Sequence, residues 1–216
     1  TNTMQRIDAN NFKLSPDVSG GSIEAMLTTM AGVNSSNEMS SQYSVRGGTY
    51  DENSVYINGI EIYRPQLVSS GQQEGLSIIN PDLVGEVNFS TGGFSAEYGD
   101  KMSSALDITY KEPQAFEGAV SLSFMGGSLA IGQNSKRFSQ IHGFRYKSNS
   151  SLLSSMETKG EYDPKYFDYQ TNMSYKFSEK FKVSFLGNIA INNYKFKPVN
   201  RTTNFGTSTD AKQFKV

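Results

Sequence analysis

The stretch from Lys165 to Phe177 limits the fold more than any other. Phe167, Tyr169, Thr171, Met173, Tyr175 and Phe177 fall on one side of it. Asp168, Gln170, Asn172, Ser174 and Lys176 fall on the other. A period of two is the mark of a strand with unlike faces. Only Ser178-Glu179-Lys180 intervenes before the pattern resumes, with Phe181, Val183, Phe185, Gly187, Ile189 and Ile191 opposed to Lys182, Ser184, Asn188 and Asn192. Two such segments so closely joined predict an antiparallel pair with one apolar wall and one polar wall.

The preceding residues continue the theme. Val120, Leu122 and Phe124 alternate with serines, and after Gly126-Gly127 the apolar phase moves to Leu129 and Ile131, which predicts a tight reversal at the glycines. Arg137 to Lys147 is a further segment, with Phe138, Phe144 and Tyr146 on one face. Gln140 and His142 interrupt that face, and His142 is read as a polar residue turned to a lumen. The segments run about 10 to 15 residues, against the ~9–11 that a tilted membrane strand requires.

Connections alternate in length: short at Gly126 and at Gln133–Lys136, long over Asn149–Pro164, short at Ser178–Lys180, long from Pro198. Outer-membrane barrels have short periplasmic turns and longer outer loops, so Ser178–Lys180 is expected on the periplasmic side. Five strands, with the start of a sixth near Lys212, cannot close a membrane barrel, whose smallest members have ~8. An open edge in lipid would leave backbone groups unpaired. The expectation is therefore the N-terminal piece of a longer chain.

Composition agrees with this. Hydrophobic residues make up only 36%, yet there are 14 Phe and 12 Tyr, as expected where one face of each strand meets lipid. No apolar run is long enough for a transmembrane helix. The opening TNTMQRID lacks the basic region and apolar core of a signal peptide, so an export signal is expected to be removed or to lie outside this chain. A net charge of −1 gives no reason to expect nucleic acid as a partner. With no cysteine and one histidine, thiolate and imidazole metal sites are poorly supplied, and Asp51-Glu52-Asn53 offers too few ligands for calcium. No nucleophile-base grouping or phosphate loop appears, so no catalytic residue, metal or cofactor is expected and an enzyme is not indicated.

The first half reads differently. Ser22 caps a short helix with Ile23, Met26, Leu27 and Met30 on one stripe, stopped by Gly32. Gln42 to Arg46 and Ser54 to Ile57 read as strands, and Asn58-Gly59 predicts a type I′ hairpin into Ile60–Tyr63. Arg64 to Ser77 reads as an exposed loop. Val84, Val87 and Phe89 mark a strand, Gly92-Gly93 a bend, Phe94–Gly99 a single turn, and Ser103–Tyr110 a strand with Leu106, Ile108 and Tyr110 on one face. A mixed sheet with two small helices is expected.

Two motifs carry a resemblance. The run TGGFSAEYGDKMSSALDI (Thr91–Ile108), preceded by Tyr43-Ser44-Val45-Arg46-Gly47-Gly48 and Val55-Tyr56-Ile57-Asn58-Gly59-Ile60, resembles the plug domain of TonB-dependent outer-membrane receptors. Many relatives carry Asp where this chain has Asn58. The resemblance implies an α+β plug domain over 1–112, followed over 113–216 by the first five or so antiparallel strands of an incomplete transmembrane β-barrel. It further implies an outer-membrane protein of a Gram-negative bacterium, with the plug inside the barrel lumen. Such a receptor takes up a nutrient (glycan, peptide or metal chelate), with a lean toward larger glycans or peptides. TonB, the nutrient ligand, outer-membrane lipid and a surface lipoprotein are the partners implied; the TonB-binding box is not identifiable before Thr1. Arg46, Gly47, Gly48, Gly92, Gly93, Glu97, Tyr98, Gly99 and Asp100 are expected at the contact between plug and barrel. Tyr63, Arg64, Gln66, Gln72 and Gln73 are expected on a substrate-facing loop.

Two rival readings fit the same sequence: a receptor-like barrel serving as scaffold or gate in an outer-membrane assembly, and a secreted β-rich binding module. The latter requires the apolar faces from Phe167 to Ile191 to pack on another sheet. In the barrel reading, Met173→Arg or Phe185→Arg is expected to cost ~2–4 kcal/mol, while Asn172→Arg or Ser184→Arg is expected to be tolerated.

Overall fold

The computed structural model describes residues 4–7, 22–35, 42–63, 65, 69–70, 73–74, 77–123, 126–148, 160–198, 201–203, 206–208 and 214–215. Residues 69–70, 73–74, 160–164 and those from 194 onward are described by backbone alone. The elements in order are β1 (Gln5–Ile7), α1 (Ile23–Leu27), β2 (Val33–Asn34), β3 (Ser44–Val45), β4 (Asn53–Ile57), β5 (Ile60–Glu61), β6 (Ser69–Ser70), β7 (Gln73–Glu74), β8 (Val84–Ser90) and β9 (Ser104–Tyr110). Then follow β10 (Glu117–Ser123), β11 (Gly126–Ser135), β12 (Phe138–Ser148), β13 (Gly160–Ser178), β14 (Phe181–Pro198), β15 (Arg201–Thr203), β16 (Gly206–Ser208) and β17 (Phe214–Lys215).

The N-terminal half is built on a five-stranded sheet of order β1-β8-β9-β4-β5. Its pairs are antiparallel except β4 with β9, which run parallel, so the sheet is mixed as expected. Ser22 caps α1, its Oγ accepting from the Ala25 amide. The helix is shorter than its apolar stripe: it ends at Leu27 and gives way to turns before Gly32. Among the described residues α1 is the one α-helix, where two were expected; single 3₁₀ turns at Tyr50–Glu52, Pro81–Leu83 and Ala96–Tyr98 do the remaining work. The expected strand at Gln42–Arg46 contracts to β3, because Arg46 turns into the left-handed region at φ 50°. At Asn58-Gly59 both residues have positive φ, 52° and 77°, as a type I′ turn requires.

The C-terminal half is a meander, β10-β11-β12-β13-β14-β17, antiparallel throughout. β10 ends at Ser123 and β11 begins at Gly126, with Ser123 paired to Gly126, so Gly126 and Gly127 belong to the strand and not to the expected turn. β13 and β14 run 19 and 18 residues, longer than the alternation predicts, and their pairing continues from Gly160↔Pro198 through Pro164↔Tyr194. β12 reaches only as far as Ser148↔Lys165, so Pro164 sits where one side of β13 has no partner from β12. A proline is tolerated on such an edge because no donor is required there. Segments read as loop thus become a two-stranded ribbon.

Register fixes two faces. Leu129, Phe144, Tyr169 and Ile189 lie in one row across four strands, and Gln133, Gln140, Met173 and Phe185 in another, all on the outer face. His142 pairs with Thr171 in the row between them. It is therefore on the outer face, contrary to the expectation of a lumen-facing residue. Its Nδ1 lies 2.8 Å from the Tyr169 hydroxyl and its Nε2 3.3 Å from Gln140 Oε1. The opposite, inner face covers the N-terminal half. Ala130 and Ile141 enter the same buried cluster as Ile23, Leu27, Val87, Phe89, Leu106 and Ile108, with Leu186 packed against it. The two halves share one core.

Candidate functional site: the seam between the halves

Where the inner face meets the N-terminal half, apolar packing gives way to a buried polar seam. Arg145 of β12 and Asp168 of β13 stand directly opposite in register, and both are buried. Arg145 Nε donates to Asp168 Oδ1 at 2.7 Å and Nη2 to Oδ2 at 2.9 Å, a bidentate pair. The rest of the guanidinium reaches across the seam: Nη1 donates to the Ile79 carbonyl (2.7 Å) and Nη2 to the Ser77 carbonyl (2.9 Å). Gln170, two residues along the same face as Asp168, donates to the Ile78 carbonyl and to Asp168 Oδ2 (2.9 Å). Three successive carbonyls of the segment entering the Pro81–Leu83 turn are thus held by two side chains of the wall. A planar fork with five donors suits this; an ammonium would not reach as many acceptors.

Further contacts extend the seam. The Tyr110 hydroxyl donates to Gln170 Oε1 at 2.7 Å, and Ser128 donates to Asp82 Oδ2 at 2.6 Å. Asn58 Nδ2 donates to Asn172 Oδ1 at 3.2 Å, while its own Oδ1 accepts from the Tyr110 amide at 2.8 Å. Glu112 pairs with Lys182 of β14. Gly143, between Ile141 and Arg145 on the inner face, lets the backbones approach: a Cβ there would lie 2.5 Å from Asn80 Nδ2 and 3.0 Å from Leu83 Cδ2. On the far side of the segment, Glu24 of α1 is buried against Ser22 and Ser77. Burial pushes its carboxyl above the usual range, opposed by the hydrogen bond from Ser77. Burial likewise raises the Tyr110 phenol.

The motif residues gather at another part of the N-terminal half. Arg46, with Gly47 and Gly48 after it, turns beside the Gly92-Gly93 bend, its Nη2 donating to Thr91 Oγ1 at 3.3 Å. Glu97 accepts from Ser95 Oγ at 2.7 Å. Tyr98 donates to Asp107 Oδ2 at 2.9 Å and packs edge-on to Tyr56. Its phenol is pushed up to about 12, by desolvation first and the Asp107 bond next. Gly99 leads to Asp100, exposed and at φ 74°. The side chains of Arg46, Glu97 and Tyr98 therefore find these polar partners within the N-terminal half. Tyr63 is 79% exposed. Arg64, Gln66 and Gln72 lie outside the described residues, and Gln73 is described by backbone alone, in β7.

Arg145, Asp168 and Gln170 were not among the expected site residues. Asp168 and Gln170 do stand on the polar side of Lys165–Phe177, but their partner is fixed by a register that one strand's pattern does not contain. Arg145, an ionisable residue opposite the Phe144–Tyr146 face, was the available signal.

The model of the TonB-dependent Receptor Plug Domain matches residues 2–105. No curated protein matches the sequence. Three solved structures share the fold. A mutant of the ferric enterobactin receptor PfeA from Pseudomonas aeruginosa is 14% identical, with TM-score 0.63, over 90% of this chain and 33% of that one. The siderophore receptor PirA from Acinetobacter baumannii is 14% identical, with TM-score 0.61, over 90% and 32%. FpvA of Pseudomonas aeruginosa bound to heterologous pyoverdines is 13% identical, with TM-score 0.64, over 99% and 29%. The chain thus spans about a third of the length of the solved structures it matches.

Proposed function

Residues 2–105 are a TonB-dependent receptor plug domain, and on that premise we propose that the whole protein is an outer-membrane receptor that takes up a nutrient through a plugged β-barrel. In this reading residues 1–112 are the plug and 113–216 the first strands of the barrel. TonB supplies the pull from the periplasm, and lipid bathes the outer face. The observation that carries the reading is the seam: wall strands β12 and β13 grip the plug through Arg145, Asp168 and Gln170. The same strands turn Phe144, Phe167 and Tyr175 the other way, exposed. A sheet with a polar, plug-holding inner face and an apolar outer face suits a lumen on one side and acyl chains on the other. The exposed row also speaks against a secreted binding module, since among the described residues no second sheet packs on it.

The cargo is a nutrient of the chelate, glycan or peptide class, bound above the plug with Tyr63, Arg64, Gln66, Gln72 and Gln73 on the loop that meets it. The fold shared with siderophore receptors supports the chelate; a surface lipoprotein is a further partner in this reading. Arg46, Glu97 and Asp100, with Gly47, Gly48, Gly92, Gly93, Tyr98 and Gly99 shaping their turns, face the part of the barrel that closes around the plug. Uptake of labelled ferric chelates, oligosaccharides and peptides, measured in cells with and without TonB, tests this. Saturable uptake of one class that disappears without TonB is expected. Uptake that persists without TonB contradicts the reading. No uptake of any class, together with co-purification in an outer-membrane assembly, favours the scaffold or gate instead.

A further inference from the structure

Glu24 stands out in the seam because, among the described residues, no cation forms an ion pair with it. Arg145 commits Nε and Nη2 to Asp168, and spends its remaining reach on the carbonyls of Ser77, Ile78 and Ile79. Arg145 also acts on Glu24 from a distance and favours its ionised form, but this is outweighed by burial, which comes first among the causes. An ionised Glu24 would be a second anion in the same buried region. Among the described residues, no cation lies within ion-pair distance of it; its oxygens meet the Ser22 hydroxyl at 3.0 Å and the Ser77 hydroxyl. The other titratable groups that face it are Tyr43 and Tyr110, both buried and both with phenols raised by burial. An unpaired buried carboxylate is far costlier than a neutral acid hydrogen-bonded to hydroxyls.

We propose that Glu24 is protonated while the plug is seated and gives up its proton to water when the Ser77–Asn80 segment leaves the wall, so that seating of the plug is proton-linked. The inference rests on the reading of the seam as the plug's seat. In the seated state the carboxyl O–H donates to one neighbouring hydroxyl and its carbonyl oxygen accepts from the other. Ser77 ties the group to the seam directly, since its Oγ also accepts from the Ile79 amide at 3.0 Å while its carbonyl accepts from Arg145. Separating the segment from Arg145 therefore also breaks the cage around Glu24 and lets water reach it. No further reactant is required: the proton passes to the incoming water.

Burial holds the carboxyl above its ordinary value in the seated state, which sets the sign. The group's contribution to seating is full below the ordinary glutamate pKa and is lost as pH rises through the raised, seated value. Within that window the seated-to-released ratio falls about tenfold per pH unit. Hydrogen exchange on the full-length receptor in detergent reads this at the amides of Ile79 and Leu83, corrected for the intrinsic pH dependence of exchange. Protection in the native protein should fall with rising pH, E24Q should hold it nearly flat at the acidic level, and D168N should lower it at every pH. A flat native profile, or an unchanged slope in E24Q, overturns the proposal. Should E24Q fail to assemble, infrared spectra of the native receptor labelled with ¹³C-glutamate decide. A neutral carboxyl band at neutral pH supports the proposal, and none overturns it. Neither measurement depends on cargo or TonB, so a failure here stays distinct from a failure of the transport reading.

Discussion

Asn58 and Arg145 show how much of the seam depends on single side chains. Asn58 uses both ends of its amide, donating to Asn172 and accepting from the Tyr110 amide. A carboxylate at this position could do only the second. Asn58→Asp is expected to cost about 1–3 kcal/mol in denaturant unfolding of the full-length protein, because Asn172 Oδ1 then faces an acceptor. Arg145→Leu leaves Asp168 buried and unpaired, at a cost of ~3–5 kcal/mol, while Arg145→Leu with Asp168→Leu should cost clearly less than the two single changes together. Additive losses in that cycle would show that the pair does not act as a unit. At this scale the sequence was only partly legible. The turn at Asn58-Gly59 follows from the local chemistry of two residues, and the structure has it. The partnership of Asn58 with Asn172, 114 positions away, depends on how two sheets dock, which no local pattern encodes.

Strands carry the most readable signal in this chain, because a period of two sorts every side chain onto one of two faces. The outer row of β13 and β14 is as the alternation predicts, with Phe167, Tyr175, Val183, Phe185, Ile189 and Ile191 exposed. Along β12, Gln140 and His142 break the apolar row without changing face, so the polarity of His142 misleads where the register does not. The inner face needs finer division than a polar label gives. Asn172 is buried and bonded to the plug, so Asn172→Arg would disrupt the seam and is not tolerated, contrary to the sequence-based expectation. Ser184, on the inner face of β14, is exposed. Phe185→Arg and Met173→Arg are expected to cost ~2–4 kcal/mol in unfolding from lipid, with Ser184→Arg close to neutral. Equal effects at residues 184 and 185 would remove the distinction between the faces.

At the scale of the whole molecule, one core is shared by a mixed sheet and a meander whose far side, among the described residues, exposes a largely apolar set of side chains. The motifs at Tyr43–Gly48, Val55–Ile60 and Thr91–Ile108 made the first half recognisable, and, Asn58 apart, the polar contacts that seat it against the second half lie outside those motifs. The claim on which the rest depends is that the wall has its inner face on the plug and its outer face in lipid. Nitroxide labels placed singly at residues 182 to 191 of the full-length receptor in bilayers test it most directly, through their accessibility to oxygen dissolved in the acyl chains. A period of two with maxima at 183, 185, 189 and 191 is expected; maxima at 182, 184 and 188, or no period at all, would overturn the assignment of the two faces.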